Sequence, residues 1–180
     1  MKQDLRSYKT EKAIKSSFFN LLRKESFNNI SVINIVRLAE VGRPTFYNHY
    51  IDKYDLLNNI IKDYGDIFRT LISQRFKEKD IDKTLYQVAD FLIANKKEIN
   101  LLKTIDAPNI IHEFNVILES EFKKSIPNNL NKLPIDYVKE LYISISMVFI
   151  NHALNTDEIN EDVIESLNQI QRDLNFNSDD

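Results

Sequence analysis

Five hydrogen-bonding side chains lie within one seven-residue stretch of the chain: Arg43, Thr45, Tyr47, Asn48 and His49. The base edges and phosphates of DNA are hydrogen-bonding partners, so this density of polar groups suits a surface that enters a DNA groove. A guanidinium such as that of Arg43 can bond guanine bidentately in the major groove, and Thr45 can pair with a base or touch a thymine methyl. We therefore expect Arg43 and Thr45 to contact bases.

The flanking residues predict a helix-turn-helix that would position this surface. Ser31 is a suitable N-cap for a first short helix, and a turn at residues 40–42 leads into a second. Pro44 falls in the first turn of that second helix, where its missing N–H costs nothing. Phe46 and Tyr50 are four residues apart and should anchor it inward. This arrangement is typical of a DNA-reading motif.

The composition predicts an all-α protein. Two Gly and four Pro among 180 residues are few for a sheet protein, which needs turn glycines. Apolar residues at helical spacing recur along the chain and predict about nine helices. We expect a three-helix DNA-binding domain at residues 1–52 and a helical regulatory and dimerisation domain at residues 53–180, linked by a fourth helix that begins at residue 53.

Charge is distributed unevenly along the chain. Residues 1–62 carry eleven Lys or Arg against six Asp or Glu, whereas the whole chain has a net charge of −3. A basic first third joined to an acidic remainder indicates that the first third is the part that meets a polyanion such as double-stranded DNA.

Several function classes are excluded by residue types. The chain has no Cys, which removes disulfides, thiolate catalysis and thiol redox sensing. No nucleophile–base pair, phosphate loop or carboxylate pair has a recognisable spacing, so we expect no enzyme. The N-terminal stretch is polar, and the least polar run, residues 141–150, is too short to span a bilayer. We expect a cytoplasmic protein without membrane contact.

The three histidines do not indicate a metal site. His49, His112 and His152 are scattered and lack ligand spacing. A lone His on an apolar helix face, as at 112 and 152, is more often a hydrogen-bonding core residue than a ligand. We assign neither a metal nor another cofactor.

The stretch SVINIVRLAEVGRPTFYNHYIDKYDLL, residues 31–57, resembles the helix-turn-helix of the TetR family of bacterial transcription regulators. The resemblance covers roughly residues 10–60. The residues in register are Ile35, Ala39, Val41, Thr45, Phe46, Tyr47, His49, Tyr50, Lys53 and Leu56. It implies a homodimer that binds a palindromic operator, and it implies phosphate contacts for Tyr47, His49 and Lys53. Ser31 and Arg37 are further expected backbone contacts, and Pro44 and Asn48 complete the predicted DNA-binding set.

Lys53 is predicted to lie at an electrostatically unfavourable position. It falls in the first turn of the fourth helix, where a cation opposes the helix dipole at a cost of a few tenths of a kcal/mol. Its position therefore invites a functional explanation.

The turn departs from the family pattern at two positions. Glu40 stands where Gly is usual, and Gly42 where Ser is usual. If position 40 needs a left-handed backbone, Glu costs on the order of 1 kcal/mol there. We expect the turn to be shaped slightly differently, with Gly42 taking part of the strain.

The last two helices are expected to form the dimer interface, as the resemblance implies, in a four-helix bundle with their symmetry mates. The same apolar stripes could instead fill the monomer core, but the eighth helix is apolar on more than one side, which favours an interface. The predicted interface residues are Leu141, Ile145, Val148, Phe149, Ile164, Leu167 and Ile170.

A small-molecule effector, of unknown identity, would bind in a pocket among helices 4 to 8. Aromatic residues at helical spacing are the candidate lining, although such residues more often form plain core. They are Tyr64, Phe68, Tyr86, Phe91, Phe114 and Tyr142.

Two functions remain open at this stage. The first is a homodimeric repressor that a small molecule releases from its operator. The second is a coactivator or adaptor of the same fold that needs no ligand and acts through protein–protein contacts. A large enclosed cavity would favour the first, and a solid core the second.

Overall fold

Every regular element is a helix in the residues that the computed structural model describes, which are 2–77, 81–124 and 133–173. In chain order the helices are α1 Lys2–Leu22, α2 Val32–Leu38, α3 Arg43–Tyr47, α4 Lys53–Arg75, α5 Ile81–Ala94, α6 Lys96–Leu102, α7 Ile110–Lys124, α8 Ile135–Ala153 and α9 Glu161–Asp173. The all-α fold predicted from the scarcity of Gly and Pro is confirmed.

The helices divide between two compact units. The first comprises Met1–Asp63 and Leu101–Asn109, and the second comprises Tyr64–Asn100 and Ile110–Asp180. The two units therefore divide within α4, between Asp63 and Tyr64. Leu56 and Leu57, in the first turns of α4, are fully buried in the first unit. The first unit therefore includes the start of this helix.

The core of the first unit is built by one apolar face from each of its helices. Fully buried side chains come from four different helices: Ile14, Phe18, Ile35, Phe46 and Leu56. The spacing of these residues gave each helix its predicted buried side. Helix α1 begins earlier than its apolar pattern indicates, because residues 5–9 are helical yet exposed and no Gly or Pro interrupts them.

The second unit has a separate core. The rings of Phe68 on α4 and Phe114 on α7 stack at a centroid distance of 4.3 Å. Gly65 allows α4 and α7 to approach closely, since a Cβ there would lie 3.1 Å from Cγ of Glu113. No helix in the described ranges is both long and apolar enough to cross a membrane.

Candidate nucleic-acid interface

Helix α2 starts where the sequence predicts, with Ser31 as its N-cap. The Ser31 backbone is extended, and its Oγ accepts a hydrogen bond from the Asn34 N–H at 3.2 Å. A hydroxyl that accepts through a lone pair still has its own O–H to donate. Ser31 can therefore cap α2 and also donate to a phosphate oxygen.

The turn after α2 is closed by two backbone hydrogen bonds. The Val41 N–H bonds the Val36 carbonyl at 3.0 Å, and the Glu40 N–H bonds the Arg37 carbonyl at 3.4 Å. These two bonds form a Schellman motif, which places the residue after the C-cap in the left-handed region. That residue is Glu40, with φ at +54°. The left-handed position is therefore occupied by a residue with a Cβ, at a cost of about 1 kcal/mol.

Gly42 does not relieve this strain. It is the N-cap of α3 with ordinary extended angles, φ −73° and ψ 150°. A Cβ at this position would meet Pro44 Cδ at 3.6 Å and Thr45 Oγ1 at 3.7 Å, which is ordinary contact. The expectation that Gly42 shares the strain is therefore wrong, because the Schellman hydrogen bonds put the left-handed angle on Glu40 alone.

We expect Glu40→Gly to stabilise the protein by about 1 kcal/mol, because Gly adopts a positive φ without a steric penalty. Chemical denaturation of the two proteins measures the difference. The paired variant Gly42→Ser should change the stability by only a few tenths of a kcal/mol, since an N-cap Ser is only slightly better than Gly. A loss of stability in Glu40→Gly would contradict the assigned strain.

Helix α3 presents its polar side chains to solvent over a buried anchor. Phe46 is fully buried and Tyr50 is 4% exposed, with their ring centroids 5.6 Å apart. A helix of five residues is not stable alone, so this packing holds α3 in place. The predicted reading residues all remain accessible. Arg43, Pro44, Tyr47 and Asn48 are exposed, and Thr45 and His49 are partly exposed.

Burial also fixes the protonation of the anchor. Desolvation, with Glu11 and Asp63 nearby, raises the pKa of the Tyr50 phenol well above its usual range. Tyr50 therefore stays neutral and acts as a packing residue, as its spacing from Phe46 predicts.

The N-terminus of α4 is capped by Asp52. Oδ1 of Asp52 accepts from the N–H groups of Tyr54 and Asp55, each at 2.8 Å. Oδ2 of Asp55 in turn accepts from the Ile51 N–H at 2.9 Å. This reciprocal pairing, a variant of the capping box, fixes the direction in which the chain leaves α3.

Lys53 makes contacts that the sequence did not indicate. Its Nζ donates to the carbonyl oxygens of Phe27, Asn28 and Ile30 at 2.9, 3.0 and 2.8 Å. The same Nζ lies 4.7 Å from the centroid of the Phe27 ring, a cation–π contact. We call Lys53 and these three carbonyls the Lys53 clamp. It joins the start of α4 to the connection between α1 and α2.

The clamp uses the whole donor capacity of the ammonium group. A Lys ammonium has three N–H donors, and three carbonyls accept from it. The negative ends of these carbonyl dipoles also offset the unfavourable position of a cation in the first turn of α4. A phosphate contact by Lys53, which the resemblance implies, would have to displace or share one of these bonds.

Arg37 remains able to reach a phosphate. It is exposed on α2, and one of its nitrogens donates to Asn34 Oδ1 at 3.1 Å. A guanidinium has five N–H donors, so this bond leaves others for a second acceptor. Together with Ser31 and the outer side of α3, Arg37 gives the first unit a polar surface with the chemistry that a phosphate backbone and a base edge require.

Metal binding finds no support in the described ranges, where no group of three or more His, Cys, Asp or Glu is placed to hold an ion.

Solved structures of known proteins share this fold. A TetR transcriptional regulator from Streptococcus agalactiae superposes with a TM-score of 0.66 at 25% identity, over 94% of this chain and 97% of that one. The dihydroxyacetone kinase operon activator DhaS superposes with a TM-score of 0.63 at 19% identity, over 92% and 96%. No model of a protein family matches the sequence. The chain has the fold of the TetR-family transcriptional regulators, and the predicted resemblance is confirmed.

Curated proteins of similar sequence also include transcriptional regulators. The dhaKLM operon transcriptional activator DhaS of Lactococcus lactis is 23% identical over 135 residues, which cover 73% of this chain and 64% of that protein. The chain spans between 16% and 64% of the length of the curated relatives it matches.

One match of a different kind carries no function to this chain. The tRNA modification GTPase MnmE of Carsonella ruddii is 26% identical over 151 residues, which are 34% of its length. A P-loop needs two glycines separated by four residues and followed by Lys. The two glycines of this chain are Gly42 and Gly65, too far apart for that loop. The proteins that share the fold are regulators, not enzymes.

The second unit contains a cavity of about 50 Å³. Of the six aromatic residues predicted to line an effector site, Phe68 and Tyr142 line this cavity. Phe114 stacks on Phe68, and the rings of Tyr64 and Phe91 lie 6.3 Å apart. The lining also includes Arg75 and Gln171, which sequence reasoning missed. A polar residue at i+4 from Leu167, on an otherwise apolar stripe, was the available signal for Gln171.

The seven predicted interface residues differ in exposure. Val148 is 70% and Ile170 is 39% exposed, whereas Phe149 and Ile164 are 5% and 2% exposed and pack inside the protomer. Leu141, Ile145 and Leu167 are partly exposed. Periodicity located the apolar faces of α8 and α9 without separating the side that fills the core from the side that meets solvent.

Proposed function

We propose that the chain is a transcriptional regulator that binds a palindromic operator in double-stranded DNA as a homodimer. The observation that carries this proposal is the polar, accessible outer face of α3 above the buried Phe46. Arg43 and Thr45 contact bases, with Pro44 and Asn48 beside them. Ser31, Arg37, Tyr47 and His49 contact phosphates, because each is at least partly exposed and carries a group that donates hydrogen bonds.

Titration of fluorescent DNA from the region upstream of the gene tests this proposal. The affinity should fall steeply as salt rises, because each neutralised phosphate releases a counterion. An unrelated duplex of equal length serves as the control and should bind far more weakly. If the upstream DNA does not bind even at low salt, the proposal fails.

Arg43→Ala should lower the affinity for the operator by about 1–3 kcal/mol for each protomer, or roughly fivefold to 150-fold for each half-site, through loss of a bidentate base contact. It should change the affinity for unrelated DNA much less. Arg43 is exposed, so the fold should persist in this variant. Anisotropy titrations with both duplexes measure the two affinities.

The matched control for this variant is Arg37→Ala, which removes a guanidinium from α2. A phosphate contact carries no sequence information, so Arg37→Ala should lower the affinity for both duplexes by a similar factor. If Arg43→Ala lowers the affinity for both duplexes by the same factor, Arg43 does not contact a base.

The regulator acts as a repressor whose DNA affinity falls when a small molecule occupies the second unit. A ligand would change the spacing of the two reading helices, which must meet successive major grooves about 34 Å apart. The cavity of about 50 Å³ restricts this ligand to a small compound, since drug-sized ligands occupy roughly 300 Å³ or more.

The second candidate is a ligand-independent coactivator or adaptor, and two observations favour it. The cavity in the second unit is small, about 50 Å³, and the relative DhaS is an operon activator. Deleting the gene and measuring transcripts of the neighbouring genes separates the two. Transcripts rise after loss of a repressor and fall after loss of an activator or coactivator.

A further inference from the structure

The cavity in the second unit is apolar along most of its wall and polar at a few points. Ten of its fourteen lining residues are apolar, and the others are Arg75, Tyr142, Ser146 and Gln171. No Asp or Glu is among the described lining residues. A site of this composition suits a ligand with an aliphatic part and one group that accepts hydrogen bonds.

The polar groups belong to three helices, and those of Arg75, Tyr142 and Gln171 are buried. Arg75, at the end of α4, is 5% exposed and donates to Oδ1 of Asn168 on α9. Gln171 follows Asn168 by three residues, so the two lie on the same face of α9. Gln171 is 6% exposed, and within the described ranges its Nε2 has no hydrogen-bond partner. A buried donor without an acceptor is unfavourable, so an acceptor in the cavity would be bound by this amide.

The remaining polar pair adds a neutral hydroxyl. Tyr142 on α8 is 7% exposed and hydrogen-bonds Ser146, and burial raises the pKa of its phenol well above the usual range. Among the lining residues, Arg75 carries the one fixed charge and the other polar groups are neutral donors. The buried Glu121, whose charge also acts on Tyr142, is not among the lining residues and is paired with Arg69 and Lys124. A carboxylate is complementary to this set, because its two oxygens accept from guanidinium and amide N–H groups.

We propose that the effector of this regulator is a short-chain carboxylate, with its carboxylate at Arg75 and Gln171 and its carbon chain against Phe68, Phe149 and Leu167. This inference rests on the proposed function, since it names the chemical class of the controlling ligand. The cavity of about 50 Å³ holds roughly four water-sized groups. Covalently bonded atoms lie closer together than separate waters, so propionate and butyrate, with five and six non-hydrogen atoms, are near that size and longer fatty acids exceed it.

Calorimetric titration and thermal unfolding of the full chain with sodium butyrate test this inference. Butyrate should raise the melting temperature and bind in the low millimolar range, as expected for so few ligand atoms. Sodium chloride at equal ionic strength should leave the melting temperature unchanged. Butyramide, which has the same shape without the charge, should bind at least tenfold more weakly. Saturating butyrate should lower the operator affinity by about fivefold or more.

Gln171→Leu is the informative variant, with Gln169→Leu as its control. Gln171→Leu removes the amide but keeps the size and apolar packing, so it should weaken butyrate at least tenfold without lowering the melting temperature. Gln169 is exposed on the same helix, and its replacement should leave butyrate binding unchanged.

Three results would overturn the inference: no butyrate binding, equal binding of butyrate and butyramide, or unaltered butyrate binding by Gln171→Leu. Unchanged operator affinity in saturating butyrate would overturn the effector role. Operator binding without ligand is measured separately, so any of these results leaves the proposed DNA-binding function intact.

Discussion

Lys53→Met should destabilise the first unit, which carries the helix-turn-helix, and weaken operator binding at the same time. Methionine keeps most of the aliphatic length of the lysine but provides no donor for the carbonyls of Phe27, Asn28 and Ile30, which now accept from Nζ at 2.8–3.0 Å. The carbonyls of Phe27 and Ile30 are in part-buried bonds, so water replaces the ammonium there only incompletely.

The size of this effect follows from the three charged hydrogen bonds. One such bond contributes about 1.5–3 kcal/mol when buried, and the exposure of the Asn28 contact reduces the sum. We expect a loss of roughly 2–4 kcal/mol in unfolding free energy. Thermal and urea unfolding monitored by circular dichroism measure it.

The salt dependence of DNA binding separates the clamp from a phosphate contact. Removing one phosphate contact from each protomer of a dimer lowers the slope of log affinity against log salt by about 1.8. Removing the clamp leaves the slope unchanged, because the reading surface is displaced without loss of a phosphate-bound charge. We expect Lys53→Met to lower both stability and affinity at constant slope.

Lys62→Met is the matched control, since Lys62 is an exposed lysine on the same helix. It should leave stability and affinity close to those of the wild type. A reduced slope with unchanged stability in Lys53→Met would instead assign Lys53 to the phosphate backbone, as the family resemblance implies.

The helix-turn-helix could be predicted because its signals are local. The Ser31 cap and the Phe46–Tyr50 spacing each involve residues within a few positions of one another, and the structure confirms both. Local spacing also fixes which side chains of α3 face solvent, since the buried anchor leaves only the opposite side exposed.

Contacts between distant residues could not be predicted in this way. The bonds of Lys53 cross 23 to 26 positions of sequence, and the Arg75–Asn168 bond crosses 93. Residues 101–109 belong with the first unit, although no local pattern marks them. The sequence indicates that one residue of the turn could need a left-handed backbone angle. Only the Schellman hydrogen bonds show that this residue is Glu40.

Val148→Glu should convert the proposed homodimer to monomers and reduce operator affinity about 100-fold or more. Val148 is 70% exposed on α8, so glutamate is accommodated in the isolated protomer at little cost. In an isologous interface the two copies place their Val148 side chains in the same apolar patch. Two unpaired carboxylates buried there cost several kcal/mol. Sedimentation velocity and operator titration measure the two effects.

Ile67→Glu controls for the introduction of a charge at an exposed apolar site. Ile67 is 50% exposed on α4 and lies outside the predicted interface, so this variant should remain dimeric and bind the operator normally. A monomer binds one half-site only and loses the contribution of the second, which is why loss of the dimer and loss of affinity should appear together in Val148→Glu. If Val148→Glu remains a dimer with full affinity, the interface lies on another face of the second unit.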